Sequence, residues 1–254
     1  MVGSSVETEP NSINLHRHGH DPAARTQREQ EWAGLFLSGP LTWTETLTKW
    51  LAKLSFLAAA DGGLDHLFRK KILPQLVVGD MDSVASASLA WAEAASVVRE
   101  VYPTEKNQTD GELLITRVMA EGYTNLLLAG SLGGNRLDHM LGIMHYALAL
   151  RKRFALNLIL TDGERFVIPL SGKVEQTFEL ADFLPQSQIE RIRVSLIPIT
   201  DVANLTYRGL RYPLENQFIE AGSTRCVSNE VLAAGTFTLS MDAGEALLVI
   251  NEEK

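Results

Sequence analysis

Leu76-Val77-Val78-Gly79-Asp80-Met81-Asp82-Ser83 is the stretch on which the fold turns: a short apolar run that stops on glycine and aspartate, as a buried strand ending in a turn does. The same grammar recurs at Trp32 to Leu37 before Ser38-Gly39-Pro40, at Phe56 to Ala60 before Asp61-Gly62-Gly63, and at Leu126 to Ala129 before Gly130. Helical stretches fall between these runs, among them about Thr44 to Leu54 and Glu112 to Met119. Apolar strands alternating with helices predict an α/β domain built on a largely parallel sheet. Ligands of such sheets bind beyond the carboxyl ends of the strands, where all of these Gly and Asp clusters fall.

After a strand near Leu156 to Leu160 the texture changes. Short strand-like runs follow (Phe166 to Leu170, Val194 to Pro198, Val202 to Thr206, Thr236 to Ser240, Ala246 to Ile250), with turn residues and no long amphipathic helix between them. That pattern predicts an all-β sandwich or barrel. Residues 1–28 are rich in Ser, Asn, Glu, His and Arg without hydrophobic period, and read as a flexible tail in which His16, His18 and His20 are solvated. The expected division is a tail over 1–28, an α/β domain over 29–162 and a β domain over 163–254.

A net charge of -8 leaves no global basic field for a nucleic-acid backbone. The single cysteine, Cys226, cannot form an intrachain disulfide, and no Cys or His near it has zinc-site spacing. No apolar run approaches the roughly 18 to 20 residues that span a bilayer, and the N-terminus lacks the apolar core of a signal peptide. The expectation is a cytoplasmic protein without nucleic-acid or membrane partners.

Asp80 and Asp82 are spaced i, i+2 at a strand end, so their carboxylates point to one side, and the glycine before them allows close approach. Hard oxygen ligands so placed suit Mg²⁺, which takes a few carboxylates and completes its shell with water and phosphate oxygens. The competing reading is a strand-to-helix turn with Asp82 or Ser83 as N-cap. Asp61-Gly62-Gly63 repeats the geometry, and Thr109-Asp110-Gly111-Glu112 adds carboxylates at a helix start; either is also compatible with a plain turn or cap. Carboxylates converging on one sheet edge repel one another, and a divalent cation is their natural partner.

Gly130-Ser131-Leu132-Gly133-Gly134-Asn135-Arg136-Leu137-Asp138-His139 follows a strand and leads into a helix. Glycines let backbone N–H groups face an anion, the helix start adds partial positive charge, and Arg136 offers a planar fork for phosphate. The segment is neither a Walker A loop nor a GxGxxG fingerprint. His139 and His145 read as packing residues rather than bases. Met140, Ile143, Met144, Ala147 and Leu148 form a core stripe, and Trp32, Trp43, Trp50 and Trp91 read as packing.

Taken in order, Ala60-Asp61-Gly62-Gly63, Gly79-Asp80-Met81-Asp82-Ser83, Thr109-Asp110, Gly133-Gly134-Asn135-Arg136-Leu137-Asp138-His139 and Ser228-Asn229 resemble the motifs of the thiamine pyrophosphokinase family. The similarity runs from about Leu35 to Ile250 and includes Tyr212-Pro213-Leu214. The resemblance implies an α/β nucleotide-binding domain followed by a β-sandwich, in a homodimer whose active site is shared between subunits. It implies an ATP-dependent diphosphotransferase that moves the terminal diphosphate of ATP to the hydroxyl of thiamine and releases AMP. By matching position, Asp61, Asp80, Asp82 and Asp110 are expected to hold Mg²⁺, with Asp82, Asp110 and Arg136 as the catalytic set. Asp61, Gly62, Thr109, Gly130, Gly133, Gly134, Arg136 and Asp138 are expected to bind ATP, and Ser228 and Asn229 to contact thiamine. Asp110 and Asp82 both remain open as acceptor of the hydroxyl proton.

Three features depart from the family pattern. Asn107 stands where many relatives carry another aspartate, Asn135 reads as an insertion before Arg136, and the β domain has no tryptophan to stack on thiamine. The competing functions are a sister pyrophosphokinase acting on a hydroxymethyl pterin and a nucleotide-binding protein without turnover.

Overall fold

The structure is a computed structural model that describes residues 26–103, 105, 107–184, 190–232 and 235–253. His16, His18, His20 and most of the expected tail lie outside the described residues. At the near end of that tail, Arg28 reaches Glu121 through Nη1, which meets Oε2 at 2.8 Å.

The first half winds strands and helices alternately. β1 (Trp32–Phe36), β2 (Leu54–Ala60), β3 (Leu76–Gly79), β4 (Val98–Val101), β5 (Asn125–Ala129) and β6 (Asn157–Thr161) are linked through α1 (Glu45–Leu51), α2 (Gly63–Lys70), α3 (Ser86–Ala94), α4 (Asp110–Ala120) and α5 (Leu137–Phe154). The six strands lie parallel in the order β6-β5-β1-β2-β3-β4. Local chemistry sets the helix starts. Thr44 caps α1 by accepting from Leu47 N–H at 3.1 Å, and α1 then buries Thr46, Leu47 and Trp50. Trp50 meets Trp32 edge-on at 5.0 Å and donates its Nε1–H to the Asp182 carbonyl at 2.7 Å. Trp43 stacks on Phe36, and Trp91 packs edge-on against Phe68, so all four tryptophans pack as expected.

Among the described residues the second half is β apart from one 3-10 turn at Leu180–Asp182: β7 (Arg165–Ser171), β8 (Val174–Glu179), β9 (Ile192–Pro198), β10 (Val202–Arg208), β11 (Leu214–Ile219), β12 (Asn229–Glu230), β13 (Thr236–Met241) and β14 (Glu245–Glu252). Its strands divide between two sheets. β7, β14, β9 and β12 continue the parallel sheet past β6 as antiparallel neighbours, giving ten strands in the order β12-β9-β14-β7-β6-β5-β1-β2-β3-β4. β11-β10-β13-β8 form a separate antiparallel sheet. The fold is thus a largely parallel α/β layer leading into an antiparallel β part, with one sheet running through both.

Alternation of side chains assigns the faces. Leu126, Leu128, Leu158, Leu160, Val167 and Leu247 share a core with Leu114, Val118 and Ala147 of α4 and α5. On the opposite face, Leu127, Ile159, Phe166 and Leu248 meet Phe178, Leu205, Tyr207 and Phe237 of the smaller sheet. Toward β3 that face is covered by Leu64 and Leu67 of α2 and Ala92 of α3. Burying a leucine at such a position contributes about 1.5–3 kcal/mol. Among the described residues no helix is long and apolar enough to cross a membrane.

Candidate functional site

The carboxyl ends of β2 and β3 and the start of α4 converge. Beyond β2, Asp61 takes a left-handed backbone (φ 44°), and its N–H donates to Val78 O at 3.1 Å, which locks the turn to β3. Gly79 faces it with φ +142°, and a Cβ there would lie 1.8 Å from Asp61 Oδ1. Glycine is required at 79 because the Asp61 carboxyl occupies that space. Asp61 Oδ1 also accepts the Met81 N–H at 3.2 Å, while Asp80 Oδ1 accepts the Asp82 N–H at 3.2 Å. Gly62 caps α2, and a Cβ on Gly63 would lie 2.0 Å from Phe36 O, so this turn presses on the end of β1.

Asp110 arrives from the other side. Thr109 is the N-cap of α4: its Oγ1 accepts from Glu112 N–H at 3.2 Å, and Glu112 Oε2 accepts from Thr109 N–H at 3.0 Å. This capping box fixes Asp110 in the first turn, where its carboxyl shares a hydrogen bond with Asp61. Burial pushes the Asp61 carboxyl up to about 7; the Asp110 hydrogen bond and charge and the Asp80 charge push the same way, against the Met81 N–H. The Asp61 carboxyl therefore keeps its proton into the neutral range, hydrogen-bonded to Asp110. Asp61 and Asp110 are therefore in contact with Asp80 close by, whereas Asp82 is exposed at the outer side of the turn.

The glycine segment lies two strands away, beyond β5, with β1 between. Gly130 (φ +73°) packs on Leu37 O, and Gly39 N–H donates to Gly130 O at 3.0 Å, tying the loops after β1 and β5 together. Gly133 and Gly134 follow with φ of +80° and +88°. Arg136 occupies the cap position of α5 and grips Asp138 with one edge of its guanidinium, Nε to Oδ1 at 3.0 Å and Nη2 to Oδ2 at 2.7 Å. That grip holds the Asp138 carboxyl well below the usual carboxylate range. Asn135, His139 and His145 are exposed, the two histidines on α5 away from its packed stripe.

Ser228 and Asn229 lie elsewhere. Asn229 is buried at the head of β12; its Oδ1 accepts the Tyr212 and Glu230 N–H groups at 3.0 and 2.9 Å, and its Nδ2 donates to Tyr212 O at 2.8 Å. Ser228 (φ 60°) donates its N–H to Ser195 Oγ at 2.9 Å. The register runs without a break through Ala59, Phe36, Ala129, Thr161, Phe166, Ile250, Val194 and Asn229. Asn229 thus stands at the level of the Asp61 turn, but β12 is first and β2 eighth in the strand order. At about 4.8 Å per strand the separation along the sheet is roughly 33 Å.

Two buried residues in this region, His66 and Asp162, stand outside the motifs. His66 of α2 is buried, and its Nε2–H donates to Gly39 O at 2.8 Å; burial pushes the imidazole below its ordinary value. Asp162 is buried beyond β6 and holds Arg165. The pair Asp162-Gly163 repeats the strand-end pattern of Asp61-Gly62 and is the sign that marks it. A cavity of about 460 Å³ at the amino ends of the strands, lined by Trp32, Trp50, Arg151 and Phe178, holds none of the candidate residues. Among the described residues no cluster of three or more His, Cys, Asp or Glu is close enough to form a ready metal cage.

Residues 47–160 match the family described as thiamin pyrophosphokinase, catalytic domain, and residues 184–244 that described as thiamin pyrophosphokinase, vitamin B1 binding domain. The chain is similar to the thiamine pyrophosphokinase of Bacillus subtilis (strain 168), with 29% identity over 205 residues, 80% of this chain and 91% of that one. Its fold matches the crystal structure of the Bacillus subtilis thiamine pyrophosphokinase with a TM-score of 0.75 at 26% identity, covering 88% of this chain and 100% of that one. The thiamin pyrophosphokinase of Candida albicans shares the fold, with a TM-score of 0.74 at 15% identity over 91% of this chain and 92% of that one.

Proposed function

This chain belongs to the thiamin pyrophosphokinase family, and on that premise we propose that it transfers the terminal diphosphate of ATP to the hydroxyl of thiamine, giving thiamine diphosphate and AMP. The observation that carries the reading is the Asp61–Asp110 carboxyl pair, set at the carboxyl ends of parallel strands two strands from a glycine loop and Arg136. The polyphosphate bridges that gap, its nucleotide end on the Gly133-Gly134 turn, which Gly130 anchors through its N–H to Thr161 O, and its reacting phosphorus beside the carboxylates.

Mg²⁺ fits the donor set. The oxygens are hard, and the Asp61 carboxyl, which burial and the neighbouring Asp110 and Asp80 disfavour as an anion, offers the place a cation takes when its proton leaves. Mg²⁺ binds through one or two carboxylates plus phosphate and water, so a three-ligand cage is not required. Asp61, Asp80 and Asp110 would hold the ion, with Asp82 on the same turn as Asp80. When bound, it neutralises charge on the phosphate oxygens. Arg136, steadied by Asp138, adds donors to the oxygens that gain charge in the transition state. The thiamine hydroxyl attacks the β-phosphorus, the bond to the α-phosphate oxygen breaks, and AMP leaves. Asp82, outside the shared pair, takes the hydroxyl proton. Thr109 and Gly62 act on the nucleotide side by fixing the two turns that present the carboxylates.

Thiamine binds at Ser228 and Asn229, where the Asn229 amide fixes the backbone of the exposed Tyr212. A separation of roughly 33 Å along one sheet means that one chain alone does not join the two halves of the site. We therefore assign a homodimer in which the partner subunit's Ser228 and Asn229 face this chain's aspartates. The matched stretches 47–160 and 184–244 support the same division of labour, with ATP on residues 29–162 and thiamine on 163–254. The lone, buried Cys226 suits a reducing cytoplasm.

Incubation with ATP, Mg²⁺ and thiamine, followed by chromatography, tests the reading. Thiamine diphosphate and AMP in equal amounts, dependent on both Mg²⁺ and thiamine, are expected. AMP formed only with a hydroxymethyl pterin, or ATP left intact with every acceptor, would contradict it.

A further inference from the structure

We propose that Arg165, which no motif marks, is a second arginine contact for the polyphosphate, beside the glycine loop that leads to Arg136. The inference rests on the reading of Gly130 to Gly134 as the phosphate loop. Beyond β6 the chain turns through Asp162-Gly163-Glu164 into β7, and the buried Asp162 carboxylate organises the turn. Its Oδ1 accepts the N–H groups of Glu164 and Arg165 at 3.0 and 2.7 Å, and its Oδ2 accepts Arg165 Nε–H at 2.6 Å and is also paired with Nη2.

The turn is immobilised against the loops of the site. Thr161 O accepts Gly130 N–H at 2.9 Å and Ser131 N–H at 3.3 Å, Asp162 O accepts Thr42 N–H at 2.8 Å, and Gly163 O accepts Thr44 Oγ1–H at 2.9 Å. Thr161 Oγ1 donates to Arg165 O at 2.7 Å. The guanidinium itself reaches the glycine loop: a Cβ on Gly133 would lie 3.0 Å from Arg165 Nη2.

Arg136 and Arg165 are held alike. Each presents its Nε and Nη2 edge to an aspartate, Asp138 in one case and Asp162 in the other, and in each Nη1 has no partner among the described residues. Both side chains stay largely exposed, 65% for Arg136 and 53% for Arg165. A guanidinium fixed along one edge keeps its remaining N–H groups aimed, so little further order is lost when phosphate oxygens bind. Pairing with the buried Asp162 carboxylate uses only the Nε and Nη2 edge of Arg165 and does not by itself require the guanidinium to lie against the glycine loop.

Inorganic tripolyphosphate with Mg²⁺ is the probe, because it carries the phosphates without the nucleoside. Its binding to the full chain is measured by calorimetry for wild type, Arg165→Gln, Arg165→Lys and Arg136→Gln, together with KM for ATP and thiamine and the melting temperature. Arg165→Gln should weaken tripolyphosphate about tenfold or more and raise KM for ATP with KM for thiamine unchanged, and Arg165→Lys should recover part of the loss. Wild-type affinity in Arg165→Gln beside weakened Arg136→Gln would overturn the inference and leave the function standing. Wild-type affinity in both would remove the phosphate-loop reading as well. Equal losses for Gln and Lys, with KM for thiamine raised and the melting temperature lowered, would reduce Arg165 to a turn residue.

Discussion

Replacing Asp61 with Asn should make the protein more stable above neutral pH while abolishing its activity. The Asp61 carboxyl, with an ordinary value of 3.8, is pushed up to about 7 by burial and by Asp110 and Asp80. Below pH 3.8 the folded and unfolded chains both carry this proton. Between 3.8 and about 7 the unfolded chain has released it and the folded chain keeps it, so stability falls as pH rises through that window and levels off above it. At 1.36 kcal/mol per tenfold change in proton affinity the upper limit is about 4 kcal/mol. Asp80 and Asp110 are only partly buried, and solvent screening at such a cleft leaves about 2 kcal/mol. Asn keeps the acceptor for the Met81 N–H, tolerates the left-handed backbone at 61, and cannot ionise. Urea denaturation of both proteins from pH 4 to 8.5 is the assay. The stability of Asp61→Asn relative to wild type should rise by about 2 kcal/mol across the range, and Mg²⁺ at pH 8 should stabilise wild type more than the variant. A pH-independent difference between the two would refute the raised Asp61 carboxyl.

Asp82→Asn should lower kcat by about 10²- to 10⁴-fold with unfolding free energy within about 0.5 kcal/mol of wild type, because the residue is exposed; steady-state kinetics and urea melts read both. Gly79→Ala places a methyl group where Asp61 Oδ1 stands, and should reduce kcat about a hundredfold and stability by about 1–3 kcal/mol. Asn229→Ala strips the hydrogen bonds that hold Tyr212, and should cost about 1–3 kcal/mol and raise KM for thiamine with KM for ATP unchanged.

What the sequence reveals of this protein is local, and what it hides depends on pairing over distance. Glycine and aspartate after short apolar runs mark the ends of β2, β3 and β5, and Thr109 three residues before Glu112 marks the start of α4. Those signals suffice to predict that Asp61, Asp80 and Asp110 share an edge. They do not show that β7, β14, β9 and β12 prolong the same sheet, because hydrophobic alternation fixes which face a strand buries and not which neighbour it takes. β4 and β8 are edge strands with mostly exposed side chains, so Val98 to Val101 and Val174 to Glu179 lack the apolar run that betrays the others. Asn229 illustrates the limit at a single residue. Its place beside Ser228 is a motif, but the commitment of its amide to Tyr212, seventeen positions away, appears only in the folded chain. Arg165 is hidden for the same reason: its approach to Gly133 crosses from one strand end to another.

ATP labelled on its γ-phosphate, supplied with Mg²⁺ and thiamine, tests transfer of the intact diphosphate most directly. The label should appear in thiamine diphosphate, with AMP formed in equal amount and none of the label free. Label released as inorganic phosphate, or carried into thiamine monophosphate with ADP as the other product, would contradict the account.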